Sequence, residues 1–286
     1  MALSLDHDVI GAMRKTWLIV NIDSGSYGAS ACERIGAALA ASGWPCDRIV
    51  RFPEDELPDR AMLESEGVDT LAIYTGDGTI NSLAGAVEGW GGSLLVLPGG
   101  TLNLLSKKLH GDRPFEAIIA DLDRAVTVRP PVIRGAGVTA LVGIILGPTT
   151  AWGEVRENAR HFDVPGLVET VPAAISETFG DDGVNVSGSQ VSYPAINLTP
   201  LDGRVFVQGF LADNAAQLLS HGFAWLGGDF RDGPHDELGR YDSVVVEGRG
   251  DIGMLYDGER GETKPGTKFT FDTLDLALLA TDTQHA

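Results

Sequence analysis

The chain has 286 residues, enough for about two domains or one large α/β unit carrying an insertion. Its 43% hydrophobic and 21% charged residues exclude a disordered chain, a collagen and a disulfide-stapled miniprotein. With 21 basic against 40 acidic side chains the formal charge is -19, so the overall field repels anions and sequence-independent nucleic-acid binding is disfavoured. Any phosphate site has to be local.

Asp6 and Asp8 precede any apolar run, which does not fit the basic-then-apolar layout of a secretion signal, and the chain reads as cytoplasmic. The first apolar run, Trp17–Asn21, predicts a buried strand that turns at Asp23–Gly28. Behind it Ala29, Cys32, Ile35, Gly36 and Leu39 recur at helical spacing, with Gly43 as the stop. Cys46 falls in the turn that follows, and with Cys32 it makes too few cysteines for a disulfide framework, so both read as free thiols. The same strand-turn-helix unit repeats at Thr70–Tyr74, with the turn Thr75–Thr79 leading into Ile80, Leu83, Ala84 and Val87. It repeats again at Ser93–Leu97, where Pro98–Thr101 leads into Leu102, Leu105 and Leu109. Such alternation implies a parallel, doubly wound sheet.

After Thr127 the texture changes. Val126–Val128, Gly137–Leu146, Val205–Phe210 and Ser243–Glu247 are β-prone, and Pro130-Pro131 marks the boundary. Only Trp152–Arg160 and Pro165–Phe179 suggest helix. The expected fold class is therefore α/β: an N-terminal parallel-sheet domain over 14–128 and a mainly antiparallel β-rich domain over 129–270. Two uncharged stretches, Gly89–Ser106 and Gly135–Gly153, are broken by glycines and proline and read as buried strands and turns rather than membrane spans.

The chemistry concentrates in the glycine turns, because parallel α/β sheets bind ligands where strand C-termini open onto loops and helix N-termini present free amides. In Gly76-Asp77-Gly78-Thr79 the glycines allow close approach to a phosphate, Asp77 offers a carboxylate for Mg²⁺ or a proton network, and Thr79 offers a hydroxyl. Gly99-Gly100-Thr101-Leu102-Asn103 repeats these ingredients without the acid. Taken singly, each turn also fits a plain tight turn, with Asp77 capping the next helix. Asp257-Gly258-Glu259 near the end of the chain likewise fits a hairpin turn. Lys107, Lys108 and Arg113 read either as a local phosphate or headgroup patch or as a solvated helix end.

Together these segments resemble the catalytic domain of the diacylglycerol kinase, sphingosine kinase and bacterial lipid kinase family. The family's Asn-Pro-x-Ser-Gly is matched by Asn21-Ile-Asp-Ser24-Gly25 without the proline. Its Gly-Gly-Asp-Gly-Thr-x-Asn-Glu is matched by Thr75–Ser82, with the first Gly and the Glu replaced. Its Pro-x-Gly-Thr-x-Asn is matched by Pro98–Asn103, with Leu104 where an Asp is frequent. Its Asp-Gly-Glu is matched by Asp257-Gly258-Glu259.

The resemblance implies an ATP-dependent kinase for a hydroxyl of a lipid or lipid-like alcohol, diacylglycerol by default. It also implies a nucleotide-binding first domain, a β-sandwich-like second domain and a closing segment, 271–286, that returns to the first. ATP would lie on Asn21, Ser24, Gly25, Gly76, Gly78, Thr79, Asn81, Gly100, Thr101 and Asn103. Asp77 would organise Mg²⁺, Glu259 would accept the proton of the acceptor hydroxyl, and Asp257 would assist. Asp236 is the nearest candidate for a structural Mg²⁺. The alternatives are a kinase acting on NAD, whose family shares a Gly-Gly-Asp-Gly turn, and a relative that binds nucleotide or lipid but has lost transfer. The partners expected are a lipid or small alcohol and at most the membrane periphery. No nucleic acid is expected, and the sequence is compatible with a homodimer.

Overall fold

The computed structural model describes residues 14–24, 27–148, 183–210 and 235–282. Gly25 and the helix expected within 152–179 lie outside them. In the first half β1 (Thr16–Asn21), α1 (Ala29–Ala41), β2 (Cys46–Phe52), α2 (Arg60–Glu66), β3 (Thr70–Thr75), α3 (Asp77–Ala86) and β4 (Ser93–Pro98) alternate. They are followed by α4 (Leu104–His110), α5 (Phe115–Ala120) and the short strand β5 (Val126–Val128). The three expected strands form within one residue of the apolar runs that suggested them. Cys46 does not sit in a turn: it opens β2, an edge strand that carries Asp47, Arg48 and Arg51 and so lacks a continuous apolar signal.

Successive residues of β1 face opposite sides of the sheet, as the pleat requires. Trp17 and Ile19 pack with Leu63 of α2, Ile80 and Leu83 of α3 and Leu105 of α4. Leu18 and Val20 pack with Ile35 and Leu39 of α1 and Ile118 of α5. All these side chains are at most 2% exposed, and each such burial stabilises the fold by about 1.5–3 kcal/mol before entropy. Both sheet faces are thus covered by helices, which makes the sheet doubly wound.

The remaining chain is β-rich: β6 (Pro131–Gly135), β7 (Val138–Ala140), β8 (Ile144–Pro148), β9 (Asn185–Val186), β10 (Ala195–Leu201), β11 (Arg204–Phe210), β12 (His235–Tyr241), β13 (Ser243–Glu247), β14 (Ile252–Tyr256), β15 (Glu259–Thr263), β16 (Thr267–Thr273) and β17 (Ala277–Ala280). Two antiparallel sheets, in the orders β12-β11-β10-β8-β14-β15 and β7-β6-β16-β13-β9, enclose a core that includes Ile133, Leu146, Leu198, Val207, Val246 and Phe269. The last strand, β17, leaves this half and joins the first sheet between β4 and β5.

The first sheet runs in the order β2-β1-β3-β4-β17-β5. From β1 the chain crosses to β2 on one side, then returns past β1 to β3 on the other. The strand order therefore reverses between β1 and β3, and a crevice opens there beyond the strand C-termini, where α/β sheets take ligands. Asn21 ends β1 and Thr75 ends β3 beside that point. No helix among the described residues is long and apolar enough to cross a membrane.

Candidate active site

A cleft of about 330 Å³ lies at this reversal, lined by Asn21, Ser24, the Gly76–Thr79 turn, the Gly100–Leu102 turn and the Asp257–Glu259 hairpin. The two glycine turns pack back to back. A Cβ on Gly100 would stand 2.6 Å from the Cα of Gly76, and one on Gly99 would stand 2.9 Å from the carbonyl oxygen of Tyr74. The glycines of the second turn are therefore needed for turn-on-turn packing. Asn103 supports the same turn: it adopts the left-handed conformation at the start of α4, and its side-chain oxygen accepts from the Gly100 amide at 2.7 Å.

The first strand's loop is fastened in place. Ser24 Oγ donates to the Gly99 carbonyl at 2.7 Å, and Asn21 Nδ2 donates to Thr79 Oγ1 at 3.2 Å. Thr101 is exposed at the cleft wall. Asp77, the first residue of α3, is half-buried and faces the start of α4, where Leu105 donates its amide to Oδ1 at 3.4 Å. Burial pushes its carboxyl up to about 6; the nearby Asp257 charge adds to the rise, and the amides of Leu105, Leu104 and Asn103 oppose it.

The second half delivers Asp257 and Glu259 on a two-residue hairpin turn between β14 and β15, in which Asp257 and Gly258 take φ of 49° and 87°. This is the primed turn that matches strand twist. It is also the element that reaches the cleft, so the plain and the functional readings of Asp257-Gly258-Glu259 describe one structure. Glu259 is exposed to the cleft, and its carboxyl group lies against Gly78: a Cβ there would come within 2.6 Å of the Glu259 Cδ.

Asp257 stands at the inner wall of the cleft. It is 3% exposed, and its carboxylate accepts from the amides of Leu141, Val142 and Gly143 at 2.6, 2.7 and 3.1 Å and from Asn81 Nδ2 at 2.8 Å. Burial raises its carboxyl above the ordinary range, while these four donors pull it back. With four donors on two oxygens, its geometry is that of a clamp. Asn81 belongs to the clamp as well, since its amide also reaches the Thr139 carbonyl at 2.8 Å.

Lys108 is a member of this junction that the sequence did not announce. Rather than joining a basic patch or a solvated helix end, it is half-buried, and its Nζ donates to the Leu141 carbonyl at 3.0 Å. Burial lowers its ammonium from the usual range and the Asp257 charge opposes that. Lys107 and Arg113 instead pair with Asp112 and Asp121. A second tie across the junction joins Arg134 to Glu88 and Asp272. Asp236 lies on β12 and accepts from the Tyr193 hydroxyl at 3.0 Å. Among the described residues no group of three or more His, Cys, Asp or Glu side chains could hold a metal.

Residues 15–131 match the family model described as diacylglycerol kinase catalytic domain, a stretch that ends where β6 begins and contains both glycine turns. Among curated proteins no sequence matches this chain. Three solved structures from Bacillus anthracis str. Sterne, one assigned as a diacylglycerol kinase and two provisionally so, resemble it with TM-scores of 0.59, 0.63 and 0.61 at 15, 15 and 16% identity. The alignments cover 96, 96 and 93% of this chain and 98, 99 and 96% of theirs. At such identity the likeness concerns the fold, and it extends over both halves.

Proposed function

From a chain whose residues 15–131 belong to the diacylglycerol kinase catalytic-domain family, we propose an ATP-dependent kinase that phosphorylates a hydroxyl of a lipid or lipid-like alcohol. The observation that carries this reading is Glu259 from the β-rich half lying against Gly78 of the first glycine turn. It puts a carboxylate from one half beside the strand reversal of the other, where a polyphosphate would be bound.

The lining fits a nucleotide polyphosphate with a divalent cation. Asn21, Ser24, Thr79, Thr101, Asp77 and Glu259 offer oxygen donors, the choice of hard cations, and no Lys or Arg among the described residues lines the cleft. Mg²⁺ typically takes one or two carboxylates together with substrate phosphates, so Asp77 with its waters would suffice to hold it. The cation would neutralise charge developing on the transferred group. The Gly76–Thr79 turn and Thr101 would position the phosphates, and the backbone packing of the two turns keeps that surface rigid.

Glu259 is the proposed base. The acceptor oxygen bonds to the γ-phosphorus, the bond from that phosphorus to the bridging oxygen breaks, ADP departs, and the hydroxyl proton passes to the Glu259 carboxylate. Asp257 acts through Glu259 by fixing the hairpin. Purified protein incubated with γ-labelled ATP, Mg²⁺ and a panel of lipids and small alcohols should label an alcohol, and Glu259→Gln should lower kcat by about 10²–10⁴ with ATP binding unchanged. Label on NAD, or on nothing while the protein is folded, would overturn the proposal.

A further inference from the structure

Lys108 stands on the second turn of α4, the helix that starts behind the second glycine turn, and its ammonium donates to the Leu141 carbonyl at 3.0 Å. The other end of the same peptide group is the Val142 amide, which donates to Asp257 Oδ1 at 2.7 Å. In a trans peptide the carbonyl and the amide point in opposite directions, so cation, peptide and carboxylate form one head-to-tail chain of hydrogen bonds. We infer that Lys108 is a positioning residue for Glu259, acting on Asp257 through the single peptide group between Leu141 and Val142; the inference rests on the kinase reading above.

The signs of the charges carry the first step. The cation lies at the carbonyl end of the peptide dipole and the carboxylate at its amide end, which is favourable at both ends. Each bond of the chain has an ionised partner, and such bonds are roughly twice as strong as neutral ones. Bonds in a chain also polarise one another, strengthening each by roughly 10–30%. The Asp257 charge acts on the Lys108 ammonium, opposing the effect of its burial, so the two groups sense each other across the peptide. A neutral side chain at 108 would therefore weaken the Val142 bond as well as remove the one to Leu141.

The loop then transmits that change. Leu141–Gly143 joins β7 to β8 and holds the Asp257 turn from both sides: its three amides take the carboxylate, and the Gly143 carbonyl accepts from the Asp257 amide at 3.2 Å. Only Gly258 separates Asp257 from Glu259, so a displaced loop displaces the carboxyl that lies against Gly78.

Both helices behind the glycine turns converge on this one carboxylate. α3 opens with Asp77 and, one turn later, sends Asn81 Nδ2 to Asp257 Oδ2 at 2.8 Å. α4 donates its Leu105 amide to Asp77 and, about one turn later, sends Lys108 to the loop. Asn81 holds Asp257 directly and Lys108 holds it through the peptide. Two anchors from different helices fix the hairpin against pivoting, which one anchor alone would allow.

The test uses the full chain with Lys108→Met, which removes charge and donors, and Lys108→Arg, which keeps both. With Mg²⁺, γ-labelled ATP and the alcohol that labels best, Lys108→Met should lower kcat by roughly 10–100-fold, the scale of a misplaced catalytic group, while the Kd of a fluorescent ATP analogue changes less than about twofold. Lys108→Arg should stay within about threefold of the parent, since an N–H donor and the charge remain. Adding Lys108→Met to Asp257→Asn should cost no further kcat, because both act through the same carboxylate. NMR reads the position of Glu259 without turnover: the amide resonances of Val142, Gly258 and Gly78 should move in Lys108→Met and return in Lys108→Arg, with that of Ile19 in β1 unmoved. Additive losses, or an unmoved Gly78 resonance in Lys108→Met, overturn the positioning role while the kinase reading stands. A Lys108→Met chain that loses ATP-analogue binding together with its fold makes Lys108 a structural residue and overturns it too. A parent that transfers nothing overturns the kinase reading, and the Gly78 resonance then decides separately whether Lys108 places Glu259.

Discussion

Asn81 and Asp257 are 176 positions apart, yet the Asn81 side-chain amide donates to the Asp257 carboxylate at 2.8 Å. Asn81 stands on α3, one turn beyond the first glycine turn, and Asp257 stands in the β14–β15 hairpin. Their bond, the three amides of Leu141, Val142 and Gly143, and Lys108 on the Leu141 carbonyl fix the two halves to each other at the mouth of the cleft. The position of Glu259 follows from that fixation, because only Gly258 separates it from Asp257.

The clamp predicts how substitutions at Asp257 divide between stability and chemistry. Asp257→Ala leaves three amides without an acceptor, each unsatisfied group costing about 1–3 kcal/mol, so a loss of about 3 kcal/mol or more is expected by chemical denaturation. Asp257→Asn retains one acceptor oxygen but presents an NH₂ to the Leu141 amide or to Asn81, and should lose less than Ala yet more than Glu259→Gln. Full stability in Asp257→Asn, with activity lost, would return Asp257 to the role of a reacting group.

Asp77 and the pH dependence of metal-free stability form a second case. Its folded carboxyl titrates at about 6 against 3.8 unfolded, so between these values the folded state holds more protons. Stability contributed by this group therefore falls as pH rises from about 4 to 6 and stays low above. With a chelator present, Asp77→Asn should melt higher than the parent at pH 8 and at the same temperature at pH 4. Adding Mg²⁺ should raise the parent's Tm at pH 8 more than at pH 5, and leave Asp77→Asn unaffected. An equal Mg²⁺ response in the variant would remove Asp77 as the ligand.

His110 has the opposite sign. It is fully buried on α4, where Nδ1 stands 3.0 Å from the Thr281 hydroxyl and 3.3 Å from the Thr281 amide, just past β17. Burial lowers its pKa to about 4, helped by Arg113, with the Val96 backbone and the Asp282 charge opposing. The unfolded chain therefore binds more protons between about 4 and 6.5. The contribution is complete above 6.5 and is lost as pH falls towards 4. Hydrogen exchange should show the β17 amides losing protection below pH 6 before those of β3, and His110→Gln should flatten that limb. Simultaneous exposure of both strands would contradict the local account.

What was legible in the sequence follows the physics of each segment. β1, β3 and β4 are buried on both faces, so Trp17–Asn21, Thr70–Tyr74 and Ser93–Leu97 are continuous apolar runs that announce themselves. β2 is an edge strand whose solvated positions hold Asp47, Arg48 and Arg51, and its pattern is correspondingly faint. The hairpin at Asp257-Gly258 is legible as a turn because an Asp-Gly pair suits positive φ. That its carboxylate turns back to gather amides near Leu141 is a tertiary fact with no local trace, as is the burial of Lys108 beneath the same loop. The meeting of Glu259 with Gly78 could be inferred only through resemblance, since nothing in spacing connects them.

Gly78 offers the sharpest separation of packing from chemistry. It sits in the first turn of α3, where a Gly costs up to about 1 kcal/mol of helix stability relative to Ala. Gly78→Ala should therefore leave the protein as stable as the parent or slightly more so. The added methyl, however, would overlap the Glu259 carboxyl, and that flexible side chain has to swing away while the backbone stays. If Glu259 is the base, kcat should fall by roughly 10–100-fold with the ATP Kd unchanged, on the scale of a lost general base. The Gly78→Ala, Glu259→Gln double variant should then be no slower than Glu259→Gln alone, because both changes remove the same carboxylate from the same place. Fully additive losses would show that Gly78 serves the phosphates independently of Glu259. An active and unperturbed Gly78→Ala would show that Glu259 can work from another position, and the contact between these two residues would then carry no catalytic meaning.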